Sequence, residues 1–223
     1  YLAVPAYSVH PVPDSFTVAA TVMVEPLAVA LRAVRRSGQG PGRRIGIIGA
    51  GTIGQLCTAV AAAEGAETVV LAKHDHQVEA ARQMGASRVV KLGEEKPSDA
   101  MPAETPGLDA VIDTVAQGTS LNTAIDVCRK GGQVVLVGEV TRPMLAALSS
   151  LVHGEKTLTG SFCYTVEDGV HDFERAMELL SSGAVDAEKL VTHRISFEQV
   201  AEAFEVADDK SRGTIKVIVT MPD

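Results

Sequence analysis

The feature that most constrains this chain is Gly49-Ala50-Gly51-Thr52-Ile53-Gly54, which directly follows an apolar run over 44–49 and opens a helical pattern. A GxGxxG between a strand and a helix uses each glycine differently. The first permits a tight turn, the second lets backbone approach a pyrophosphate, and the third lets helix and strand pack closely. A pyrophosphate there rests on the helix N-terminus, where unpaired N–H groups and the helix dipole favour an anion. The competing reading is a glycine-rich turn without a ligand. The strand–turn–helix context, with further strand–helix–strand units following, favours a dinucleotide site.

Six short apolar runs, over 44–49, 68–72, 88–90, 108–113, 133–138 and 157–161, read as strands. Several are apolar on both faces, as in a parallel sheet covered on each side. Between and after them, apolar residues recur at helical spacing: Ile53, Leu56, Cys57, Val60; Leu121, Ala124, Ile125, Cys128; Phe173, Ala176, Met177, Leu180; and Phe197, Val200, Ala201, Phe204. Each set makes one stripe facing a core. Ser196 with Gln199 three residues on reads as a capping box for the last helix. Strands alternating with helices imply right-handed crossovers and an α/β, doubly wound sheet. Residues 1–16, with Pro5, Pro11 and Pro13, suit a strand followed by a linker, and 94–106 reads as a polar surface loop.

Composition narrows the function classes. The 223 residues, 46% hydrophobic and 22% charged, can build a proper core and exclude a disordered or fibrous chain. With 20 basic against 28 acidic residues the net charge is −8, which makes nucleic acid and anionic membranes poor partners. No apolar run approaches the roughly 20 residues of a membrane helix. Cys57, Cys128 and Cys163 form neither a disulfide framework nor a CxxC pair, which fits a reducing, cytoplasmic setting.

The residues after the second strand bear on which dinucleotide binds. An NAD site usually places Asp or Glu there to accept from the ribose 2′-OH. Here the position holds Ala72, followed by Lys73 and His74. The missing carboxylate removes repulsion against a 2′-phosphate and Lys73 supplies a counter-charge, so NADP is favoured, with NAD left open. Lys73 as a plain solvated charge, and Asp75 as a helix cap or displaced ribose partner, remain the alternatives.

With these pieces go Val24-Glu25-Pro26-Leu27, Met84-Gly85-Ala86, Gly131 to Gly138, Gly160-Ser161-Phe162, Leu190 to His193 and Gly213 to Val217. In order and spacing, they resemble the zinc-type medium-chain alcohol and polyol dehydrogenases, in particular the sorbitol and threonine dehydrogenase branch. The resemblance implies a Rossmann, six-stranded parallel sheet with remnants of a GroES-like catalytic domain at both ends. On that basis residues 1–24 end the catalytic domain, 25–161 form the dinucleotide-binding domain, and 162–223 return to the catalytic domain. The family's first stretch, with most of its zinc ligands, has no counterpart here, so the chain is expected to be part of a longer enzyme and inactive alone.

The resemblance also assigns residues. It implies that Glu25 faces the zinc of the full-length parent. It places the backbones of Thr114, Val115, Val137, Gly138 and Glu139 around the nicotinamide, with Ser161 and Phe162 closing over the ring. Tyr164 matches a substrate-touching position, although Cys163 stands where polyol dehydrogenases carry an arginine, which counts against a sorbitol-like substrate. Cys163 itself reads as an ordinary buried thiol. His74 and His76 are placed to help a 2′-phosphate, while His10, His153, His171 and His193 read as structural or exposed.

The implied activity is hydride transfer between NAD(P) and a secondary alcohol or polyol, with a small-molecule alcohol or ketone as substrate. The implied assembly is a homodimer or homotetramer, pairing through the edge of the sixth strand near 157–162. Two rivals remain open. One is a zinc-free quinone reductase of the same superfamily. The other is a non-catalytic dinucleotide-binding module, against which the stripe Phe197, Val200, Phe204 counts, because its apolar face would lie uncovered.

Overall fold

A computed structural model describes residues 2–38, 40–97 and 107–222. Most of the polar loop expected over 94–106 lies outside the described residues. Ahead of the first helix there is one 3-10 turn, Ala6–Ser8, in place of the expected strand. Prolines at 5, 11 and 13 withhold N–H groups that a strand ladder needs.

Helix α1 (Val18–Arg36) is capped by Thr17, whose Oγ1 accepts from the Ala20 N–H at 3.0 Å. It buries Met23, Leu27, Leu31 and Val34 on one face. Because it starts at Val18, Pro26 sits inside the helix and not at a first helical turn. The domain boundary expected at 24/25 falls within this continuous helix.

The chain then alternates: β1 (Arg44–Ile48), α2 (Thr52–Ala63), β2 (Glu67–Ala72), α3 (Asp75–Gln83), β3 (Arg88–Lys91), β4 (Leu108–Asp113), α4 (Gly118–Val127), β5 (Cys128–Leu136), α5 (Leu148–His153) and β6 (Thr157–Gly160). Among the described residues these strands form one six-stranded sheet in the order β3-β2-β1-β4-β5-β6. Every pairing in it is parallel. The order reverses between β1 and β4, the place where doubly wound sheets open a ligand crevice at their carboxyl edge. Cys128, expected to end a helical stripe, instead opens β5 in register with Leu108, because pairing with β4 takes the chain out of helical geometry.

Both faces of the sheet are covered. On β2, Val70 and Ala72 join the core under α1, α2 and α3, while Val69 and Leu71 join the core under α4. The alternation explains why these strands read as unbroken apolar runs.

The last third holds a short antiparallel pair, β7 (Val166–Glu167) and β8 (Val170–His171), then α6 (Asp172–Ser181), β9 (Val191–Ser196), α7 (Val200–Asp208) and β10 (Lys216–Thr220). β9 and β10 pair in parallel. As expected, the α6 stripe faces inward, with Ala176 buried and Phe173, Met177 and Leu180 packed against the core.

Two expectations for the last helix are corrected. Ser196 and Gln199 form no capping box. A 3-10 turn (Phe197–Gln199) intervenes, and the Gln199 amide donates to Glu202 at 3.1 Å. The stripe through Phe204 does not face a core either. α7 buries Ala203 and Val206, leaving Phe197 and Phe204 49% and 75% exposed. Helical spacing shows that a helix has an apolar face, but not which face its neighbours cover.

Candidate functional site

β1 ends at Ile48 and the backbone turns at Gly49 with φ 92°, a left-handed value that suits glycine. The Gly49 N–H donates to the Leu71 carbonyl at 3.1 Å, and Thr114 Oγ1 donates to the Ile48 carbonyl at 2.9 Å, fixing the turn between β2 and β4. Gly54 is required by packing. A Cβ there would lie 1.8 Å from the Gly49 carbonyl oxygen. Gly51 is required by neither, since its φ is −77° and a Cβ would meet nothing within 4 Å. The open space beside it is where a pyrophosphate can reach the N-terminus of α2. The cradle therefore fits a dinucleotide on its geometry.

Above this cradle lies a cavity of about 910 Å³. It is lined by the whole glycine loop, by Lys73 and His74 after β2, and by Thr114 and Val115 after β4. Gln117 and Ser120 at the start of α4, Gln77 on α3 and Lys210 from beyond α7 also line it, none of them singled out by sequence reasoning. Gln117 and Ser120 carry the readable signal of polar residues at a helix start beyond a parallel strand. Lys210 has no local signal. No carboxylate lines the cavity among the described residues.

Ala72 does not line it. The residue is 1% exposed and packs into the core, so its contribution is to put no acid there. Asp75 opens α3 and pairs with Lys91 Nζ at 2.6 Å, a hydrogen bond that holds its carboxyl below the usual range. The His74 and His76 rings stack with centroids 5.5 Å apart. Burial first, then the like charge of His74, pushes the His76 imidazole below its usual value. The floor is braced by two buried glutamines. Gln55 Nε2 donates to the Ala50 and Gln77 carbonyls at 3.2 and 2.9 Å, and Gln77 Oε1 accepts from the Lys73 and His74 N–H groups.

A second cavity, of about 770 Å³, lies at the ends of β5 and β6. Val137, Gly138, Glu139, Ser161 and Phe162 line it together with Arg32 and Arg36 of α1. Apart from Ala72, the structure thus distributes the expected cofactor residues over two cavities at the carboxyl side of the sheet. The buried Ser161 hydroxyl has no hydrogen-bond partner among the described residues.

Asp113, at the end of β4, braces the wall between the β4 and β5 ends. Its carboxylate accepts from the Val115 and Ala116 N–H groups at 2.9 and 3.2 Å and from Ser120 Oγ at 2.8 Å. Its backbone carbonyl accepts from Val137 and Gly138 at 2.9 and 3.2 Å. Burial pushes this carboxyl above the usual range against those hydrogen bonds.

The remaining candidates lie apart. Tyr164 packs against Phe173 and His171, with centroids 4.4 and 5.6 Å away, and lines neither cavity. Glu25 is exposed on α1. No group of three His, Cys, Asp or Glu side chains converges to hold a metal among the described residues, so the zinc implied for the parent finds no complete donor set here. No helix of the described residues is long and apolar enough to cross a membrane.

Comparison with known proteins gives concordant findings. A family model described as zinc-binding dehydrogenase matches residues 52–182. A probable D-xylulose reductase A of Aspergillus terreus is 32% identical over 99% of this chain and 63% of its own length. An L-idonate 5-dehydrogenase of Vitis vinifera is 31% identical over 96% of the chain and 61% of its own. The solved L-idonate 5-dehydrogenase of Escherichia coli superposes with a TM-score of 0.84 at 27% identity, over 94% of this chain and 59% of that one. The chain spans about three fifths of the length of the curated relatives it matches.

Proposed function

The chain belongs to the zinc-binding dehydrogenase family, and on that premise we propose that it is the NADP-binding part of an oxidoreductase that moves hydride to or from a secondary alcohol, polyol or ketone. The observation that carries this reading is the cavity over the Gly49–Gly54 cradle, with Lys73 and His74 at its rim and no carboxylate in its lining. A site that binds the bare ribose of NAD ordinarily supplies an acid there; this one supplies an ammonium group and an imidazole, which suit a 2′-phosphate.

Each residue then has a task. The N–H groups at the start of α2 take the pyrophosphate, and Lys73 and His74 take the adenosine phosphate. Thr114 and Val115 guide the chain of the cofactor over the β1/β4 switch point. Val137, Gly138, Glu139, Ser161 and Phe162 hold the nicotinamide, with Asp113 keeping the two loops in place. The nicotinamide, when bound, supplies the hydride chemistry, and the protein supplies position and electrostatics.

Relatives named for D-xylulose and L-idonate favour a polyhydroxylated substrate. Residues 1–24 and 162–223 are assigned to the catalytic domain and 25–161 to the nucleotide-binding domain. Glu25 is this chain's one contribution to the zinc site of the whole enzyme, and Tyr164 its contribution to the substrate side. The exposed Phe197 and Phe204 face is assigned to contact with the rest of that domain, and the exposed edge of β6 to a homodimer. Three free cysteines suit a reducing cytoplasm.

Fluorescence titration of the chain with NADPH and NADH tests the central assignment. NADPH is expected to bind more tightly, and Lys73→Asp, at a position that lines the cavity, to reverse the order by repelling the 2′-phosphate. Binding of neither nucleotide, or an unchanged preference in the variant with its melting temperature intact, defeats the reading.

A further inference from the structure

We propose that Lys210, carried by the C-terminal segment, is a specificity-determining residue that takes the 2′-phosphate of NADP together with Lys73 and His74. The proposal rests on the NADP reading above and goes beyond it by placing half of the discrimination on a part of the chain far from the nucleotide-binding strands.

Lys210 opens a 3-10 turn, Lys210–Arg212, between α7 and β10. Two contacts dock this stretch onto the glycine loop and the turn after β2. Thr52 Oγ1, at the start of α2, donates to the Ile215 carbonyl at 2.7 Å, and the Thr214 backbone lies close enough to the His76 imidazole to favour its protonated form. Lys210 thereby lines the same cavity as Lys73 and His74. Its Nζ donates to the Ala207 carbonyl, which leaves two of the three ammonium donors free to face a ligand.

No carboxylate pairs with it among the described residues. Asp209, its neighbour, is engaged by the Ser211 N–H and hydroxyl at 2.9 and 2.6 Å, and Asp75 is engaged by Lys91. The positive charge of Lys210 is also felt by His76, whose ring stacks on His74. Two ammonium groups and an imidazole thus line one cavity whose lining, among the described residues, holds no carboxylate. A phosphate entering there offers acceptors to all three.

The test compares wild type, Lys210→Gln, Lys210→Arg and Arg212→Gln in the full chain. Dissociation constants are measured for NADPH, NADH, 2′,5′-ADP and 5′-AMP. Arg212 is exposed on the same turn and lines no part of the cavity, so its variant controls for a general loss of charge. Lys210→Gln is expected to weaken NADPH and 2′,5′-ADP about tenfold or more, the effect of one lost charge-assisted contact, and to leave NADH and 5′-AMP within about twofold. Lys210→Arg should restore most of the loss, and Arg212→Gln should move nothing.

Equal weakening of all four ligands by Lys210→Gln would place the lysine on the pyrophosphate and overturn the proposal. So would an unchanged NADPH affinity in Lys210→Gln when the wild type prefers NADPH, with the NADP reading left standing. A wild type that prefers NADH would instead overturn the NADP reading and this proposal with it.

Discussion

Arg35 and Asp172, 137 residues apart in the chain, meet at 2.5 Å with the Asp172 side chain fully buried. The pair ties α1 to the first turn of α6, and the second Asp172 oxygen accepts from the Thr165 N–H at 2.8 Å. Glu167 reaches Arg35 at 3.1 Å from a half-exposed position. Arg35 Nε and Nη1 are buried without partners among the described residues, and the half-buried Glu64 carboxylate also feels its charge.

Removing the buried acid leaves a largely buried cation with only the more exposed arm of its ion-pair network. Asp172→Ala is expected to cost about 3–5 kcal/mol. Glu167→Gln, at the exposed arm, should cost under about 1 kcal/mol. Urea unfolding at unchanged m-value measures both; comparable losses in the two variants would contradict the assignment.

The glycines of the cradle make opposite predictions. Gly54→Ala drives a methyl to 1.8 Å from the Gly49 carbonyl oxygen. It should destabilise by about 1–3 kcal/mol or more and abolish nucleotide binding. Gly51→Ala meets open space at an ordinary φ, so stability should move by only about 0.5 kcal/mol. Its methyl still intrudes on the pyrophosphate path, so NADPH affinity should fall. Thermal melts beside nucleotide titrations separate the two effects.

Asp113 sets a pH dependence. Burial raises its folded-state pKa above the unfolded value, so the folded protein holds the proton more tightly than the unfolded chain does. Stability from this group is present below the unfolded value and is lost as pH rises through the raised one. Asp113→Asn keeps an acceptor for the Val115 and Ala116 N–H groups and can donate to Ser120 Oγ. It should therefore match or exceed wild-type stability at neutral pH, with the advantage vanishing in acid. A denaturation series across pH that shows Asn worse at neutral pH would refute this.

The three thiols should react in a fixed order. Cys57 is fully buried, which pushes its pKa up to about 12, and burial raises Cys128 as well. Cys163 is the half-exposed one. One equivalent of a thiol reagent should add quickly to the native protein, at Cys163, and two more only on unfolding. Mass mapping that finds early label on Cys57 would show that the α1–α2 core opens.

Much of the fold was legible because the central strands β1, β2 and β4 are apolar on both faces and the helices after β1 and β4 carry their own stripes. Residues 44–54 alone specify strand, turn and helix, since few arrangements other than a close helix–strand approach place glycines at those three spacings. Legibility ended where periodicity is silent about neighbours. Phe197, Val200 and Phe204 form a valid stripe, yet Ala203 and Val206 point into the molecule. Cys128 continues a helical repeat, yet β4 draws it into a strand. In the site, Ala72, Lys73 and His74 could be read in place as a cation-bearing turn, whereas Asp113 looked like the plain end of a strand until its hydrogen bonds were seen.

The sequence by itself determined the alternation of strands and helices, the glycine cradle and the absence of an acid after the second strand, because each is a property of a few consecutive residues. Tertiary structure decided which polar side chains come together. It brought Lys210 to Lys73 and His74, Asp172 to Arg35, and Gln55 to Gln77. Each pairing is set by how elements dock through space, and an exposed cation or a buried acid carries no local mark of the partner it will find.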